Sequence, residues 1–471
     1  MTGRRTKLVC TIGPATIDRV DELVAAGMDA ARVNFSHGTP DARAHAARTV
    51  HAAATRAGRV IALIADLAGP KVRLGQLADD EQTLESGARF TMRPGSQTAG
   101  DATGAGVSQA SLAEDLRPGD RILLADGAVE LRVDAVTDEI ETEVMRGGLI
   151  RSRAGVNVPA ERLTGPGLTE QDRADARDAV ELGAHYIAQS FVRRASDVEE
   201  LRTVLGPDGP QIVAKIETRP AIDAFDAICD VSDAIMVARG DLGVELPYEE
   251  VPIIQKELVR RALDRGIPTI VATQMLESMI SSPRPTRAEA SDVANAIFDG
   301  ADAIMLSGET AIGAHPILAA EAAARIIGLC ETRGAAHLPS GAPPRADTDA
   351  DALAYAASAL AAADRDVVAI ACYTRTGRTA RIVAALRPRV PILAYSPHAS
   401  VVAQMALVHG VEARSCQPPS DVDGRLGLMA WLVGEDLTLP AGSAVVLVAS
   451  TAQPGSGPNL LEVHRVPARP G

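Results

Sequence analysis

The chain has few aromatic residues and few cysteines, and both shortages exclude classes of protein. Phenylalanine, tyrosine and tryptophan together make up 2% of its 471 residues, too few for the stacking platforms that bind single-stranded nucleic acid. The five cysteines are an odd number and are widely spread, with no Cys-x-x-Cys pair. Neither a disulfide framework nor a zinc site is therefore expected, and a reducing cytoplasm is the predicted location.

Positive charge is also in short supply. The 47 Lys and Arg residues are outnumbered by 61 Asp and Glu residues, for a net charge of −14, which argues against nucleic acid or an anionic membrane surface as a partner. No apolar run is long enough to span a bilayer, and Gly13-Pro14 interrupts the N-terminal stretch before a secretory signal can develop. If the substrate is an anion, the charge that receives it must be local.

Runs rich in Val, Ile and Ala recur along the chain, and most are followed by an amphipathic helical pattern. Eight such strands followed by helices favour a (β/α)8 barrel of the TIM type over an open sheet, with the active site at the carboxyl ends of the strands. Ser196 and Thr286 are predicted helix N-caps. The eight predicted strands are Lys7–Ile12, Ala31–Ser36, Arg59–Leu67, Tyr186–Val192, Gln211–Glu217, Ala234–Asp241, Thr269–Met275 and Ala303–Glu309.

Two further domains are predicted. Residues 70–163 contain short alternating runs with Gly and Pro punctuation, which indicate an inserted all-β lid domain leaving the barrel above its active site. Residues 334–345 read as a linker, and residues 346–471 as a C-terminal α/β domain. The barrel domain is then made of residues 1–69 and 164–333.

Lys215 and Glu217 are the centre of the predicted site. Residues two apart on a strand point to the same side. A single lysine and glutamate so placed most often form a solvated ion pair. Here other strand ends add the carboxylates Asp66 and Asp241 and the cations Arg32 and Arg73. Such a gathering of charge predicts a metal-bridged phosphate.

Each group has a chemical role in that interpretation. Glu217 and Asp241 supply two hard oxygen ligands, as Mg²⁺ prefers, while Lys215 neutralises charge on a phosphoryl group in transfer. Arg32 and Arg73 offer bidentate forks for phosphates, although each alone could be a surface ion pair.

Small hydroxyl groups and one histidine complete the predicted site at the carboxyl ends of the barrel strands, which we call the mouth of the barrel. Thr273 and Ser307 could act in catalysis or, for Thr273, simply favour a strand. His37 could contact a nucleotide or cap the turn into Gly38.

Long motifs in this chain resemble those of the pyruvate kinase family. They cover residues 6 to about 410 and include KLVCTIGPA, ARVNFSHG, ADLAGPKVR, VAKIET, MVARGDLGVELP, ATQMLESMI and AIMLSGET. The resemblance implies glycolytic phosphoryl transfer from phosphoenolpyruvate to ADP, dependence on Mg²⁺ or Mn²⁺, and a homotetramer.

The same resemblance implies roles for individual residues. Lys215 stabilises the transferred phosphoryl group, and Arg32 is a further catalytic residue. Glu217 and Asp241 hold the metal, and Thr273, through Ser307, belongs to the relay that protonates the enolate. The implied substrate-binding residues are Arg32, Thr273 and the run Ala238, Arg239, Gly240 and Asp241; the implied nucleotide-binding residues are Asn34, His37 and Arg73.

The chain departs from the family at the region that holds a monovalent cation, which here corresponds to Asn34, Ser36, Asp66 and Leu67. Members that need K⁺ carry a Glu where this chain has Lys71. An ammonium at position 71 can supply the charge of K⁺, so activity without K⁺ is predicted. In the lid, Ala154 replaces a Lys that is usual in relatives, and Arg151 or Arg153 could substitute for it.

A loop in the third domain resembles the family's allosteric effector site. Small hydroxyls, a glycine and a helix start could bind a phosphate of a phosphorylated effector, or could form an ordinary glycine turn. The residues concerned are Thr374, Thr376, Gly377, Arg378 and Thr379.

Two other functions compete with phosphoryl transfer as interpretations of the sequence. One is a metal-dependent pyruvate-enolate aldolase or lyase, which needs neither Lys215 nor a long lid. The other is a non-catalytic sensor of phosphorylated metabolites, which would have lost a catalytic residue.

Overall fold

The computed structural model describes residues 3–339, 348–416, 427, 429–430, 432–434, 439–449 and 459–466. Residues 340–345 of the predicted linker lie outside this range, as do parts of the predicted C-terminal domain. Within the described part of the chain, no helix is both long and apolar enough to cross a membrane.

Eight parallel strands form a closed barrel, which confirms the predicted fold class. The strands are buried because helices cover their outer faces, and this explains their nearly continuous apolar runs. Around the barrel each strand pairs with the next in chain order, and the last pairs with the first. The barrel strands are β1 (Lys7–Thr11), β2 (Ala30–Asn34), β3 (Ala62–Asp66), β12 (Tyr186–Gln189), β13 (Gln211–Ile216), β14 (Ala234–Ala238), β15 (Thr269–Ala272) and β16 (Ala303–Leu306).

The helices around the barrel begin at recognisable caps in several cases. Thr286 caps its helix with a reciprocal capping box to Glu289, as predicted, whereas the prediction for Ser196 was wrong because that helix begins at Ala195 after Arg194. The helices are α1 (Val20–Ala26), α2 (Pro40–Ala57), α4 (Glu170–Glu181), α5 (Ala195–Leu205), α6 (Arg219–Asp223), α7 (Phe225–Val231), α8 (Arg239–Glu245), α9 (Val251–Asp264), α10 (Arg287–Asp299), α11 (Gly308–Ala311) and α12 (Pro316–Thr332), with 3-10 turns at Glu277–Ile280 and Ala335–His337.

The segment between β3 and α4 forms a separate β domain with a hydrophobic core of its own. Six of its strands form one sheet in the order β11-β7-β8-β9-β5-β6, and β10 pairs with β4. Its last strand is followed by the 3-10 helix Ala160–Arg162. The lid elements are β4 (Glu81–Leu84), β5 (Arg89–Pro94), β6 (Gly104–Val107), α3 (Leu112–Asp115), β7 (Arg121–Leu124), β8 (Val129–Val136), β9 (Ile140–Arg146), β10 (Gly148–Arg151) and β11 (Val156–Asn157).

The C-terminal domain is a five-stranded sheet in the order β19-β18-β17-β20-β21. Its 3-10 turn Met405–Leu407 reaches the amino-terminal end of the barrel, where Ala406 and Leu407 join the core inside the barrel. Strand β19 was not predicted, because its half-polar run lacks a strong strand pattern. The elements are α13 (Asp349–Ala363), β17 (Val367–Tyr373), α14 (Arg378–Ala385), β18 (Ile392–Ser396), α15 (Ala399–Gln404), β19 (Val411–Ser415), β20 (Ala444–Ala449) and β21 (Leu460–Arg465).

Candidate active site

A buried cluster of charges lies at the carboxyl ends of β3 and β13. The Lys215 ammonium Nζ is 2.9 Å from Glu217 Oε1, 3.2 Å from Asp66 Oδ1 and 2.6 Å from Ser190 Oγ. Lys215 is the fifth residue of β13 and Glu217 follows the strand's last residue, so the prediction that both side chains share one side is confirmed. The cluster lies where parallel barrels carry their chemistry.

The cations of the cluster keep Asp66 ionised. Burial alone would raise the pKa of Asp66, but the Lys215 ammonium and the Arg32 guanidinium together lower it. Arg32 Nε donates to Asp66 Oδ2 at 2.6 Å, and Arg32 Nη1 donates to Thr11 Oγ1 at 3.2 Å. Burial opposes the charge on Lys215, yet Asp66 and Glu217 outweigh it and raise the pKa of Lys215. Lys215 is therefore a cation throughout the physiological pH range.

One oxygen of Glu217 has no partner other than the Lys215 ammonium. Its Oε2 accepts the backbone N–H of Phe191 at 2.8 Å, whereas its buried Oε1 has no hydrogen bond despite its ion-pair distance to Lys215. Burial, reinforced by the like charge of Asp241, raises the pKa of Glu217 against the opposing effect of Lys215. A nearby divalent cation would remove this penalty.

The donor set fits a divalent ion such as Mg²⁺ or Mn²⁺. Asp241 lies in the first turn of α8, directly after the strand that pairs with β13, so two hard carboxylates come from neighbouring strands. Among the described residues, no group of three or more His, Cys, Asp or Glu side chains gathers to hold a metal. Oxygen atoms of substrate or water would have to complete the coordination of an ion held by this pair.

Thr273 has an unusual backbone conformation. Its φ is 71°, and φ of the next residue, Gln274, is 54°, a left-handed conformation that a β-branched residue adopts only under constraint. Thr273 Oγ1 accepts the N–H of Gly240 at 2.7 Å and donates to the carbonyl of Ala272 at 2.6 Å. The strain fixes the hydroxyl beside the start of α8.

Ser307 leaves the end of β16 with an unused hydroxyl. Its Oγ is buried and has no hydrogen-bond partner, while its N–H donates to Glu309 Oε2 at 2.7 Å. The predicted strand through Glu309 was too long, because β16 ends at Leu306 and Glu309 lies in the first turn of α11. Glu309 also accepts the N–H of Leu276 at 3.0 Å, so it is a structural carboxylate.

The run from Ala238 to Asp241 begins α8. The strand predicted to run from Ala234 to Asp241 was also too long, since β14 ends at Ala238 and the helix starts at Arg239. The Arg239 guanidinium donates to Asp292 at 2.7 Å and to the carbonyl of Thr273 at 2.8 Å. Arg239 therefore supports the Thr273 turn with its side chain.

Arg73 is not at a barrel strand end. The prediction that Arg73 lies at the end of the third barrel strand was wrong. Strand β3 stops at Asp66, and Arg73 forms an antiparallel bridge with Gly155 in the lid. Its guanidinium donates to the carbonyl of Arg153 at 3.2 Å. On the barrel side, Asn34 Oδ1 accepts the N–H of Ser36 at 3.0 Å, and His37 is exposed.

Lys71 contacts Asp241, one of the two predicted metal ligands. Its Nζ is 3.1 Å from Asp241 Oδ1 and 5.7 Å from the centre of the Phe191 ring. Asp66, which belongs to the predicted monovalent-cation region, is instead bonded by Arg32 and Lys215. Leu67 is buried, and its carbonyl accepts the hydroxyl of Ser190 at 2.8 Å.

Two residues of the cluster were missed in the sequence reading. Ser190 follows β12 and bonds Lys215, while Phe191, with φ of 57°, turns its N–H toward Glu217. A polar residue at the end of the fourth barrel strand was a usable signal for Ser190. The positive φ of Phe191 could not be predicted, because no residue pattern in a single sequence indicates such a conformation at a phenylalanine.

The predicted effector loop connects β17 to α14. Gly377, with φ of 81°, precedes the helix, and its N–H donates to Thr374 Oγ1 at 2.9 Å. Thr376 and Arg378 are exposed. Arg381 Nη2 donates to the carbonyl of Thr376 at 3.2 Å, whereas its buried Nη1 has no hydrogen-bond partner.

Comparisons with known proteins agree with this architecture. Residues 3–320 match the family described as pyruvate kinase, barrel domain, and residues 351–464 match pyruvate kinase, alpha/beta domain. The pyruvate kinase of Mycobacterium tuberculosis is 42% identical over 98% of both chains, and that of Geobacillus stearothermophilus is 41% identical over 98% of this chain and 80% of its own. The crystal structure of a pyruvate kinase from Cryptosporidium parvum superposes with a TM-score of 0.88 at 31% identity, covering 99% of this chain and 97% of the other. The chain belongs to the pyruvate kinase family.

Proposed function

We propose that Lys215, Glu217 and Asp241 form the catalytic centre for phosphoryl transfer at the barrel mouth. As a pyruvate kinase, the chain transfers the phosphoryl group of phosphoenolpyruvate to ADP, giving pyruvate and ATP, and its family depends on a divalent metal. The observation that carries the residue assignment is the 2.9 Å approach of Lys215 Nζ to the otherwise unbonded Glu217 Oε1.

Glu217 and Asp241 would hold the divalent ion, which supplies positive charge to oxygens of the substrates. Lys215 then stabilises the charge of the phosphoryl group as it moves between the two oxygens. Asp66 and Ser190 keep the ammonium in place, because both bond Nζ directly. Preorganisation of this kind is worth several kcal/mol in a site that excludes water.

The remaining mouth residues bind and protonate the substrate in this proposal. Arg32, held by Asp66, presents its guanidinium to the phosphate, and the start of α8 from Ala238 to Asp241 seats the substrate carboxylate. Thr273, with Ser307, relays the proton to carbon three of the enolate. The support is the constrained Thr273 hydroxyl and the unpaired Ser307 Oγ.

The nucleotide is assigned to Asn34, His37 and Arg73, with Arg73 reaching it from the lid. Arg151 and Arg153 are the lid arginines that could replace the basic contact missing at Ala154.

One assay tests the catalytic assignment. Pyruvate formation from phosphoenolpyruvate and ADP should require Mg²⁺ or Mn²⁺, and Glu217→Gln should lower the affinity for the metal while the fold is kept. Absence of metal-dependent pyruvate formation by the wild-type chain would contradict the assignment. The comparisons lend no support to an aldolase, a lyase or a non-catalytic sensor.

Activity without K⁺ is the second part of the proposal. Lys71 carries a fixed positive charge at the mouth, 3.1 Å from Asp241, and an ammonium group can serve where a bound K⁺ would otherwise neutralise substrate charge. Activity in buffer containing only sodium or Tris should equal that in K⁺ buffer within a few-fold. Stimulation by K⁺ of tenfold or more would contradict this assignment.

The loop of Thr374, Thr376, Gly377, Arg378 and Thr379 is proposed as a site for a phosphorylated effector. Its support is the exposed hydroxyl and guanidinium groups around the start of α14. A shift of the phosphoenolpyruvate saturation curve by sugar phosphates or nucleotides is expected, and its loss in Arg378→Ala would connect the shift to the loop. A curve indifferent to all of them would favour an ordinary glycine turn.

A homotetramer in the cytoplasm completes the proposal. Large apolar side chains are exposed on and beside the barrel helices, among them Tyr248, Ile253, Ile312 and Leu318, and subunit association would cover such groups. Light scattering should give four times the chain mass of 49.0 kDa, whereas a monomer at micromolar concentration would contradict it.

A further inference from the structure

Both connections between the lid and the barrel contact residues 190–193, which follow β12 and which we call the β12–α5 loop. The outgoing connection reaches this loop at Gly69, whose φ of 70° favours glycine. A Cβ atom added to Gly69 would lie 2.9 Å from Ser190 Cβ and 3.0 Å from the Phe191 ring, so a larger residue does not fit. Two residues later, the Lys71 ammonium lies 5.7 Å from the centre of the same ring. The outgoing connection is therefore seated on the loop by close packing.

The returning connection is held by Arg193, the last residue of this loop. Its guanidinium donates to the carbonyl of Leu163 at 2.6 Å and to that of Gly165 at 2.7 Å. The residue between them, Thr164, is bonded from the lid, because its hydroxyl donates to Asp115 Oδ1 at 2.7 Å. Three consecutive residues are thus bonded alternately to the barrel and to the lid.

Arg193 is itself fixed in the barrel. The residue is buried, its N–H donates to Asp197 Oδ2 at 3.0 Å, and its guanidinium Nε lies 3.6 Å from the same oxygen. Asp197 is buried in the first turn of α5. A lysine in place of Arg193 would keep the positive charge but lose the planar fork of N–H donors that reaches both carbonyls.

The first two residues of the β12–α5 loop orient the charged cluster. Ser190 Oγ accepts a hydrogen bond from Lys215 Nζ at 2.6 Å, and the N–H of Phe191 donates to Glu217 Oε2 at 2.8 Å. Phe191 makes this contact with φ of 57°, a conformation that a residue other than glycine keeps only when its surroundings impose it. Movement of the loop would therefore displace the groups that orient both Lys215 and Glu217.

The seam beside the loop is incompletely packed. A cavity of about 40 Å³ is lined by Phe191 and Arg193 of the loop and by Asn157 and Leu163 on the lid side. The Oδ1 atom of Asn157 is buried without a hydrogen-bond partner. Because packing is sparse here, the position of the returning connection depends on the bonds that Arg193 makes.

We infer that Arg193 is a positioning residue that ties the returning connection of the lid to the loop orienting Lys215 and Glu217, and so couples the position of the lid to that pair. The catalytic use of the pair rests on the proposed function, whereas the bonds of Arg193 belong to the chain without ligands. Loss of the guanidinium loosens the connection at Thr164 and, through the loop, the bond between Phe191 and Glu217.

Hydrogen exchange of the full chain without metal or substrates tests this tie. Arg193→Met should accelerate exchange of the Thr164 and Phe191 amides at least fivefold, and Arg193→Lys, which lacks the fork, should accelerate both at least twofold. The matched control is Arg194→Met, because Arg194 is the next residue, is exposed and pairs with the same Asp197 at 3.2 Å. The control should leave both amides unchanged.

The exchange experiment can overturn the inference in two ways. Unchanged exchange at either amide in Arg193→Met would do so, and so would equal acceleration in Arg194→Met. If circular dichroism shows that Arg193→Met does not fold, Arg193→Lys carries the test, and wild-type exchange at either amide of that variant would overturn the inference.

Steady-state kinetics separates positioning from a general loss of stability. Arg193→Met should lower kcat about tenfold and change the KM for phosphoenolpyruvate less than threefold, because a displaced Lys215 weakens the transition state more than substrate binding. Arg193→Lys should recover at least half of the logarithmic loss, and Arg194→Met should stay within twofold of wild type. An unchanged kcat of Arg193→Met in an active chain would overturn the coupling. The exchange results do not depend on activity, so failure of the tie and failure of the proposed function are distinguishable.

Discussion

The two ends of the barrel each bury a cluster of charges, but the clusters differ in how completely their bonds are used. At the amino-terminal end, both oxygens of Asp302 are occupied: the Arg387 guanidinium binds them bidentately at 3.0 Å, and the N–H groups of His409 and Thr269 bind one each. At the carboxyl end, Ser307 Oγ is buried without a hydrogen bond, and Glu217 Oε1 has no partner other than the Lys215 ammonium. The Asp302 carboxylate is thus fully used in contacts that join the domains, although Arg387 Nε is itself buried without a partner, whereas the carboxyl end keeps acceptors that a ligand could use.

The difference follows from what covers each end. Leu407 and Ala406 of the C-terminal domain close the amino-terminal end with apolar groups, and Lys7 there donates to the carbonyl of Val411 at 2.7 Å. Burial, with Arg387 nearby, lowers the pKa of His409, so this interface takes up no proton near neutral pH. Within the described residues, the inserted β domain meets the carboxyl end of the barrel, where Lys71 contacts Asp241, and two connections join this domain to the barrel.

The largest expected effect comes from replacing the buried lysine at the carboxyl end. Lys215→Met should lower kcat by about a thousandfold or more, roughly 4 kcal/mol, because the phosphoryl group loses its preorganised cation. Metal-assisted proton exchange on pyruvate, followed by NMR, should remain measurable in the variant. Joint loss of both activities would give Lys215 a different role.

Lys7→Met is the matched control for this exchange. Lys7 is as buried as Lys215, with 8% of each residue exposed, but its partner is a backbone carbonyl. We expect kcat of Lys7→Met to stay within a few-fold of wild type. A comparable loss in both variants would remove the functional distinction between the two ends.

A large effect on stability is expected at the amino-terminal end. Arg387→Met should destabilise the chain by about 3–5 kcal/mol, because it leaves the buried Asp302 without its cation. Urea unfolding measures the loss, and kcat per folded molecule should be unchanged. Arg19→Met, which breaks an exposed pair with Glu22, should leave the urea midpoint almost unchanged, and an equal shift of the midpoint in both variants would contradict the comparison.

The smallest effect concerns the pH dependence of stability at Glu245, the last residue of α8, whose pKa is raised chiefly by burial. The ordinary pKa of Glu245 is near 4.5 and rises to about 7 in the fold, so between these values the unfolded chain is ionised while the folded chain keeps the proton. Ionisation therefore favours unfolding, and stability falls as pH rises from about 4.5 to about 7. Glu245→Gln should remove this fall and be more stable than wild type at pH 8 by about 1–2 kcal/mol.

Thermal unfolding at pH 5 and pH 8 checks the sign. The difference between variant and wild type should be larger at pH 8, and Glu250→Gln should show no such change. A variant that is less stable than wild type at pH 8 would show that the carboxylate stabilises the fold when ionised.

The predicted and observed structures agree best where the local residue pattern decides the structure. Eight buried runs predicted the barrel, and the placement of Lys215 and Glu217 on one side of β13 followed from strand geometry alone. Strand ends were less accurate: Asp241 and Glu309 belong to helices, and Arg73 belongs to the lid, because each chain turn at the mouth is set by bonds to other elements. The contacts of Ser190 and Phe191 with the charged cluster were not predicted for the same reason.

The sequence by itself determined the order of strands and helices, the insertion of the lid, the residue types at the mouth and the family they indicate, because these depend on periodicity and on residues close in the chain. Only the tertiary structure decided which charges meet, as Lys71 does with Asp241 and Arg32 with Asp66. Those contacts join residues from 34 to 170 positions apart, and the closure of the barrel, which no local pattern records, brings them together.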